Sequence, residues 1–218
     1  FSQLMAHDLA FIGITEGEST RRTFADIVSA NYFATFGVRM FQGREFLPAE
    51  ERPRSAIPVA IVSHQYWKKT GRDPNLLGKN LRINARPYTI VGIAPEEFTG
   101  VMAMLSPEIW LPLGVHELVV NDFLTEGKAR SLEDRDNARL FLVGRLKPGM
   151  IAVKAGTELE VVAAQLARAY PKQNKDHTFI VQPPSRLGIS TNPSGTKDLH
   201  TTSILLSSVA GVVLLIAC

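Results

Sequence analysis

The hydrophobic pattern of this chain uses one unit twice. Ile27-Val28-Ser29-Ala30-Asn31-Tyr32-Phe33, closed by Gly37, returns 34 residues later as Ile61-Val62-Ser63-His64-Gln65-Tyr66-Trp67, closed by Gly71. In each copy a β-branched apolar run ends at a serine, whose hydroxyl can accept from the free amides that open a short helix. The aromatic pair then falls on the buried side of that helix. Gly37 and Gly71 stand where a left-handed residue closes a helix at little steric cost. A second glycine leads out of each copy, Gly43 and Gly78. The pattern predicts strand, cap, short helix and stop, in duplicate, more readily than a ligand site.

Around these units the periods change. Leu4, Met5, Leu9 and Phe11 to Ile14 predict the end of a helix running into a strand. Arg22 to Val28 predicts a strand, with a return strand around Val38 to Phe41. Pro48 to Pro58 is a charged connector and a candidate boundary. Asn80 to Ile93 alternates and turns at Asn84-Ala85-Arg86-Pro87, which predicts a β-hairpin. Glu108 to Leu113 and Arg139 to Leu146 predict further strands, separated by the charged loop Asn121 to Asn137. Thr157 is a candidate cap for a helix with Leu159, Val162, Leu166 and Tyr170 on one side, stopped by Pro171. Thr178 to Gln182 predicts a last strand. The sum is an α+β chain with two interleaved subdomains, 1–48 with 138–185, and an inserted mixed α/β part at 58–120.

The chain ends on Ile204 to Cys218, with no charge and no proline. As a helix these 15 residues reach about 22 Å, short of the roughly 30 Å of a bilayer core. They are expected to be the start of a transmembrane helix (204–218), reached through a polar linker at 186–203. A buried core helix, or a lipid-anchor signal with Ser194, Gly195 and Thr196 as its small residues, are the other readings of the same run.

Composition narrows the function classes. At 218 residues, with 45% hydrophobic and 21% charged, the chain can bury a core without staples. Its 24 basic and 21 acidic residues leave only +3, which disfavours nucleic acid as a partner. The single cysteine, Cys218, excludes an internal disulfide and a cysteine-based zinc site within the chain. Gly78-Lys79 is followed by Asn80, so the end of a phosphate-binding loop is not completed, and no Gly-x-Gly-x-x-Gly run occurs.

His7, His64, His116, His177 and His200 are scattered, with no second ligand at a repeatable distance, so no metal site or cofactor is expected. Ser63-His64 reads as a helix cap and its neighbour, and His7-Asp8 as a surface pair. Glu50-Glu51 and Glu96-Glu97 sit beside proline in loops. Phe98-Thr99-Gly100-Val101-Met102-Ala103-Met104-Leu105 is unusually apolar for a loop. Either it packs beneath the inserted subdomain, or Phe98, Met102, Met104 and Leu105 form a soft contact for a partner or an apolar ligand.

One ordered set of residues resembles a known family. Ala25-Asp26-Ile27-Val28-Ser29, Tyr32-Phe33, Gly37-Val38, Gly43-Arg44-Glu45-Phe46, Val59-Ala60-Ile61-Val62-Ser63, Tyr66-Trp67, Leu77-Gly78-Lys79 and Tyr88-Thr89-Ile90-Val91-Gly92-Ile93 are similar to the periplasmic core domain of MacB/FtsX-type ABC transporter permeases. The likeness is strongest to the long acidobacterial duplicated-permease type, and it returns at Arg139 to Pro171.

The resemblance implies a porter-like, ferredoxin-type βαβ part holding an inserted part, placed between two helices of the bacterial inner membrane and facing the periplasm. It also implies no catalytic residue, an ABC ATPase subunit as partner through the membrane part, a periplasmic adaptor and a dimeric transporter. The expected role is to couple cytoplasmic ATP hydrolysis to periplasmic substrate handling. A lipoprotein-release or cell-division-type permease domain that contacts a periplasmic chaperone or hydrolase is the nearest alternative. A membrane-anchored periplasmic enzyme using His64, Glu96 or Glu97 is a more distant one.

Overall fold

Strict alternation builds the longest strand. In β1 (Gln3–Glu16), Asp8, Ala10, Ile12 and Ile14 are buried on one face, and Met5 and His7 are buried on the other. A computed structural model describes residues 1–101, 106–120 and 131–182. It shows that the first residues are strand, where the spacing of Leu4, Met5 and Leu9 predicted the end of a helix. The misleading residue is Asp8, a buried acid that holds an inward position and so interrupts the apolar alternation.

β2 (Ser19–Val28) folds back on β1 through Gly17, which adopts a left-handed φ of 61°. After it come α1 (Tyr32–Phe36), β3 (Gln42–Gly43), α2 (Pro48–Glu51), β4 (Val59–Val62) and α3 (His64–Lys69). The hairpin follows as β5 (Asn80–Ile83) and β6 (Arg86–Ile93). Asn84 and Ala85 take φ of 47° and 65° at its turn, the left-handed pair that matches strand twist. β7 (Ile109–Pro112), a 3-10 turn (Leu113–Val115), α4 (His116–Val119), β8 (Phe141–Arg145), α5 (Ala152–Ala169) and α6 (Pro171–Asn174) complete the described elements.

The sheet closes on itself. β2 pairs with β7, β7 with β4, β4 with β6, β6 with β5, and β5 with β1, which already pairs with β2. β2–β7 and β4–β6 are parallel, and the other four pairs are antiparallel. Inside the resulting barrel sit alternate residues of every wall strand: Ile12 and Ile14, Ile27, Val62, Ile83, Ile90 and Ile109. Val115 and Val119 close one end.

A second apolar layer lies outside the wall, where Val28, Ile61 and Trp110 are covered by Tyr32 and Phe33 of α1. Strands from 1–48 and from 58–120 are therefore hydrogen-bonded into one wall at β2–β7 and β1–β5. Among the described strands β8 pairs with β1 alone, outside the barrel, opposite Gln3 to His7.

The repeated unit forms with a difference. Ser63 caps α3 by accepting from the Tyr66 amide at 3.0 Å. Ser29 does not cap α1. Its hydroxyl accepts from the Ala6 amide and donates to Asn31 Oδ1, because β1 runs alongside and offers a free amide. Gly37 and Gly71 are left-handed, at φ 69° and 84°. The return strand predicted around Val38 to Phe41 shrinks to the two residues of β3.

α5 begins at Ala152, ahead of Thr157, whose hydroxyl bonds back to the Val153 carbonyl instead of capping. Its inner face carries Ala155 and Ala163, with Leu159 and Leu166 half-buried, while Val162 and Tyr170 are exposed. Thr178 to Gln182 forms no strand. No helix among the described residues is long and apolar enough to cross a membrane, and the run 204–218 lies outside them.

Gly43 and Gly92 face each other where β3 meets β6. A Cβ on Gly92 would lie 2.5 Å from the Arg44 carbonyl oxygen and 3.2 Å from the Ile61 side chain. Gly92→Ala is expected to lower the unfolding free energy by about 1–3 kcal/mol, read from urea denaturation. An unchanged midpoint would mean that β3 does not lie against β6.

Candidate functional site: a buried polar core and its surrounding surfaces

His7 and Asp8 are consecutive residues of a strand, so their side chains leave on opposite faces. Both are 4% exposed, and neither pairs with the other, which corrects the expectation of a surface pair. On the outer face His7 Nδ1 donates to Asp26 Oδ1 at 2.9 Å, and the Tyr32 hydroxyl donates to Asp26 Oδ2 at 2.9 Å. Burial, and then the charge of Asp26, push the Tyr32 hydroxyl well above its ordinary range, so it stays a donor. On the inner face His116 Nε2 donates to Asp8 Oδ2 at 2.9 Å, and Arg139 Nε lies 3.4 Å from the same oxygen.

The elements explain this placement. Asp26 shares the outward face of β2 with Val28 and stands opposite Trp110. α1 lies over that face and brings Tyr32 to it. α4 plugs the barrel end toward which Asp8 points, and so delivers His116. A weak signal existed in the sequence: Asp8 stands at the inward period of Ala10, Ile12 and Ile14, and Asp26 lies inside an apolar run. His116 and Arg139 carried none, since their partner is more than 100 residues away.

The residues considered for catalysis are only partly assembled. His64 Nδ1 comes within 3.7 Å of Glu96 Oε2, but Lys68 also holds Glu96, which is largely exposed. Lys68 keeps the Glu96 carboxyl below the usual carboxylate range through a hydrogen bond and its charge. His64 packs in a ring trio with Phe41 and Trp67, at 4.9 and 5.1 Å, and Glu97 is exposed. An open groove of about 450 Å³ lies elsewhere. It runs between β1, β8 and the start of α2, lined by Leu4, Ala30, Phe46, Pro48, Glu51 and Leu142 among others, and none of His64, Glu96 and Glu97 lines it. Among the described residues no three His, Cys, Asp or Glu side chains are placed to hold a metal ion.

Of the four residues in the apolar loop, Phe98 is described, and Met102, Met104 and Leu105 lie outside the described residues. Phe98 turns inward. Its ring sits 5.4 Å from Phe33, 5.6 Å from Phe36 and 5.7 Å from Trp110, so it anchors one end of the loop in the outer apolar layer.

The described residues thus form a closed barrel whose first strand also pairs with β8, the strand that precedes α5. Three solved structures share the fold. The periplasmic region of MacB from Actinobacillus actinomycetemcomitans has a TM-score of 0.55 at 15% identity, covering 79% of this chain and 69% of that one. A permease-protein domain from Porphyromonas gingivalis has a TM-score of 0.56 at 17% identity, covering 86% and 79%. The extracellular domain of the noncanonic ABC-type transporter YknZ from Gram-positive bacteria has a TM-score of 0.54 at 15% identity, covering 79% of each chain. Among curated proteins there is no match. The family model of the MacB-like periplasmic core domain matches residues 5–169, and the chain belongs to that family.

One charged cluster braces the side of the barrel. Glu108 accepts from Arg21 at 2.5 Å, Lys69 at 2.6 Å and Thr23 at 3.2 Å. Burial pushes its carboxyl up, but Lys69 and Arg21 together outweigh this and hold it below the usual range. Its stabilising contribution is complete above the ordinary value of 4.5 and is lost as the pH falls through the lower folded-state value. Because Arg21 and Lys69 are partly solvated, Glu108→Gln is expected to cost about 1 kcal/mol at neutral pH. In urea titrations the gap to wild type should close as the pH falls below the ordinary value of 4.5 and through the lower folded-state one; a gap that stays constant in acid would contradict this role.

Proposed function

We propose that this chain is the extracytoplasmic domain of an ABC transporter permease of the bacterial inner membrane, working in the periplasm without catalytic residues of its own. The reading rests on one observation above all, the family match over residues 5–169. The architecture supports it, because a barrel whose first strand extends to pair with β8 is suited to relaying displacement. ATP hydrolysis takes place on a partner ATPase subunit. Movement of the membrane part reaches the domain through the chain that joins them; the run 204–218, expected to start a transmembrane helix, lies outside the described residues.

In this reading the domain moves with the membrane part within a dimeric transporter, and it handles substrate or engages an adaptor. The loop from Phe98 to Leu105 is the proposed contact. Phe98 is its inward anchor, and Met102, Met104 and Leu105, outside the described residues, bring soft apolar side chains suited to such a contact.

The test uses the full permease with its ATPase subunit, reconstituted in lipid. Replacing residues 1–182 by a flexible linker should leave basal ATP hydrolysis in place and abolish export, and the isolated chain should hydrolyse no ATP. Export that survives the replacement, or ATP hydrolysis by the isolated chain, would overturn the proposal.

A further inference from the structure

His7 is the residue at which the two partnerships of β1 meet, since it stands opposite Val28 of β2 and opposite Phe141 of β8. β8 is held by β1 over five residue pairs, and its other edge has no strand partner among the described residues. A two-stranded ribbon of that length is marginal in water. At this point two buried polar clusters stand back to back.

On the outer side, the His7 ring that donates to Asp26 also packs against Phe141 of β8, with centroids 5.3 Å apart. On the inner side, Asp8 takes His116 of α4 and lies beside Arg139, two residues ahead of β8. Each cluster therefore ties a barrel element to the segment that carries β8. His7, Asp8, Asp26 and His116 are each at most 4% exposed. Buried ion pairs commonly stabilise a protein no more than apolar packing of the same volume, and their best attested return is to fix one arrangement against others.

We propose that the His7–Asp26–Tyr32 and Asp8–His116–Arg139 clusters form a clamp locking β8 to the barrel through β1. A force arriving along β8 and α5 then turns the barrel as one body instead of peeling β8 away. The clamp concerns the mechanics of the domain, and it stands whatever the transporter carries.

Hydrogen exchange on the 218-residue chain tests it. Asp8→Asn should speed exchange of the β8 amides, Phe141 to Arg145, at least about tenfold, while protected amides of β4 and β6 stay within about twofold of wild type. Ile90→Val, a cavity inside the barrel, serves as the control and should speed barrel amides without a selective effect on β8. Should Asp8→Asn fail to fold, Tyr32→Phe decides: it should speed β8 about threefold with the barrel unchanged. Equal acceleration of β8 and barrel in either clamp variant, or no acceleration of β8, would overturn the proposal.

Discussion

β1 has two edges and three partners. One edge is taken by β2 from His7 to Glu16; the other is divided between β8 at its first residues and β5 at Ile14 and Thr15. At about 3.3 Å per residue, fourteen residues span roughly 46 Å, long enough to serve a barrel and an appendage in succession. The closing contact with β5 is short. Asn84 reinforces it, with its side-chain oxygen accepting from the Gly13 amide and its own amide donating to the Gly13 carbonyl. If that strand slipped by one residue, Ile12 and Ile14 would leave the barrel interior, and Asp8 would leave His116.

The same strand explains which parts of the molecule can be read from sequence. Local chemistry was legible: the Asn84-Ala85 turn, the Ser63 cap, and the left-handed Gly37 and Gly71 all follow from neighbours within a few residues. Ser29 shows where that reading stops. It occupies the same place in the repeat as Ser63, yet β1 presents the Ala6 amide to it, and that contact spans 23 residues. Closure of the barrel was not legible either, because the β1–β5 and β2–β7 pairings join segments distant in sequence, and alternation does not name a partner strand.

The site divides in the same way. Phe98 was singled out for its apolar surroundings, and it does mark a junction, but its ring faces the core. The polar residues that organise the domain were hidden by the habit of placing acids at the surface. Asp8 and Asp26 occupy positions whose neighbours in the alternation are apolar, and each is satisfied by groups that arrive from other elements. His64 and Glu96 do approach each other, yet a ring trio and a lysine already occupy them. What the chain shares with the solved structures is thus its fold, and in this chain buried polar groups lie where its strands meet.

The central claim is that a single strand belongs to both the barrel and the β8 appendage. Backbone nuclear Overhauser contacts measured on the labelled chain test it most directly. The account predicts contacts between Ile14 and Ile83 and between Met5 and Val143 in the same molecule. Observing one set while the other is missing would contradict it.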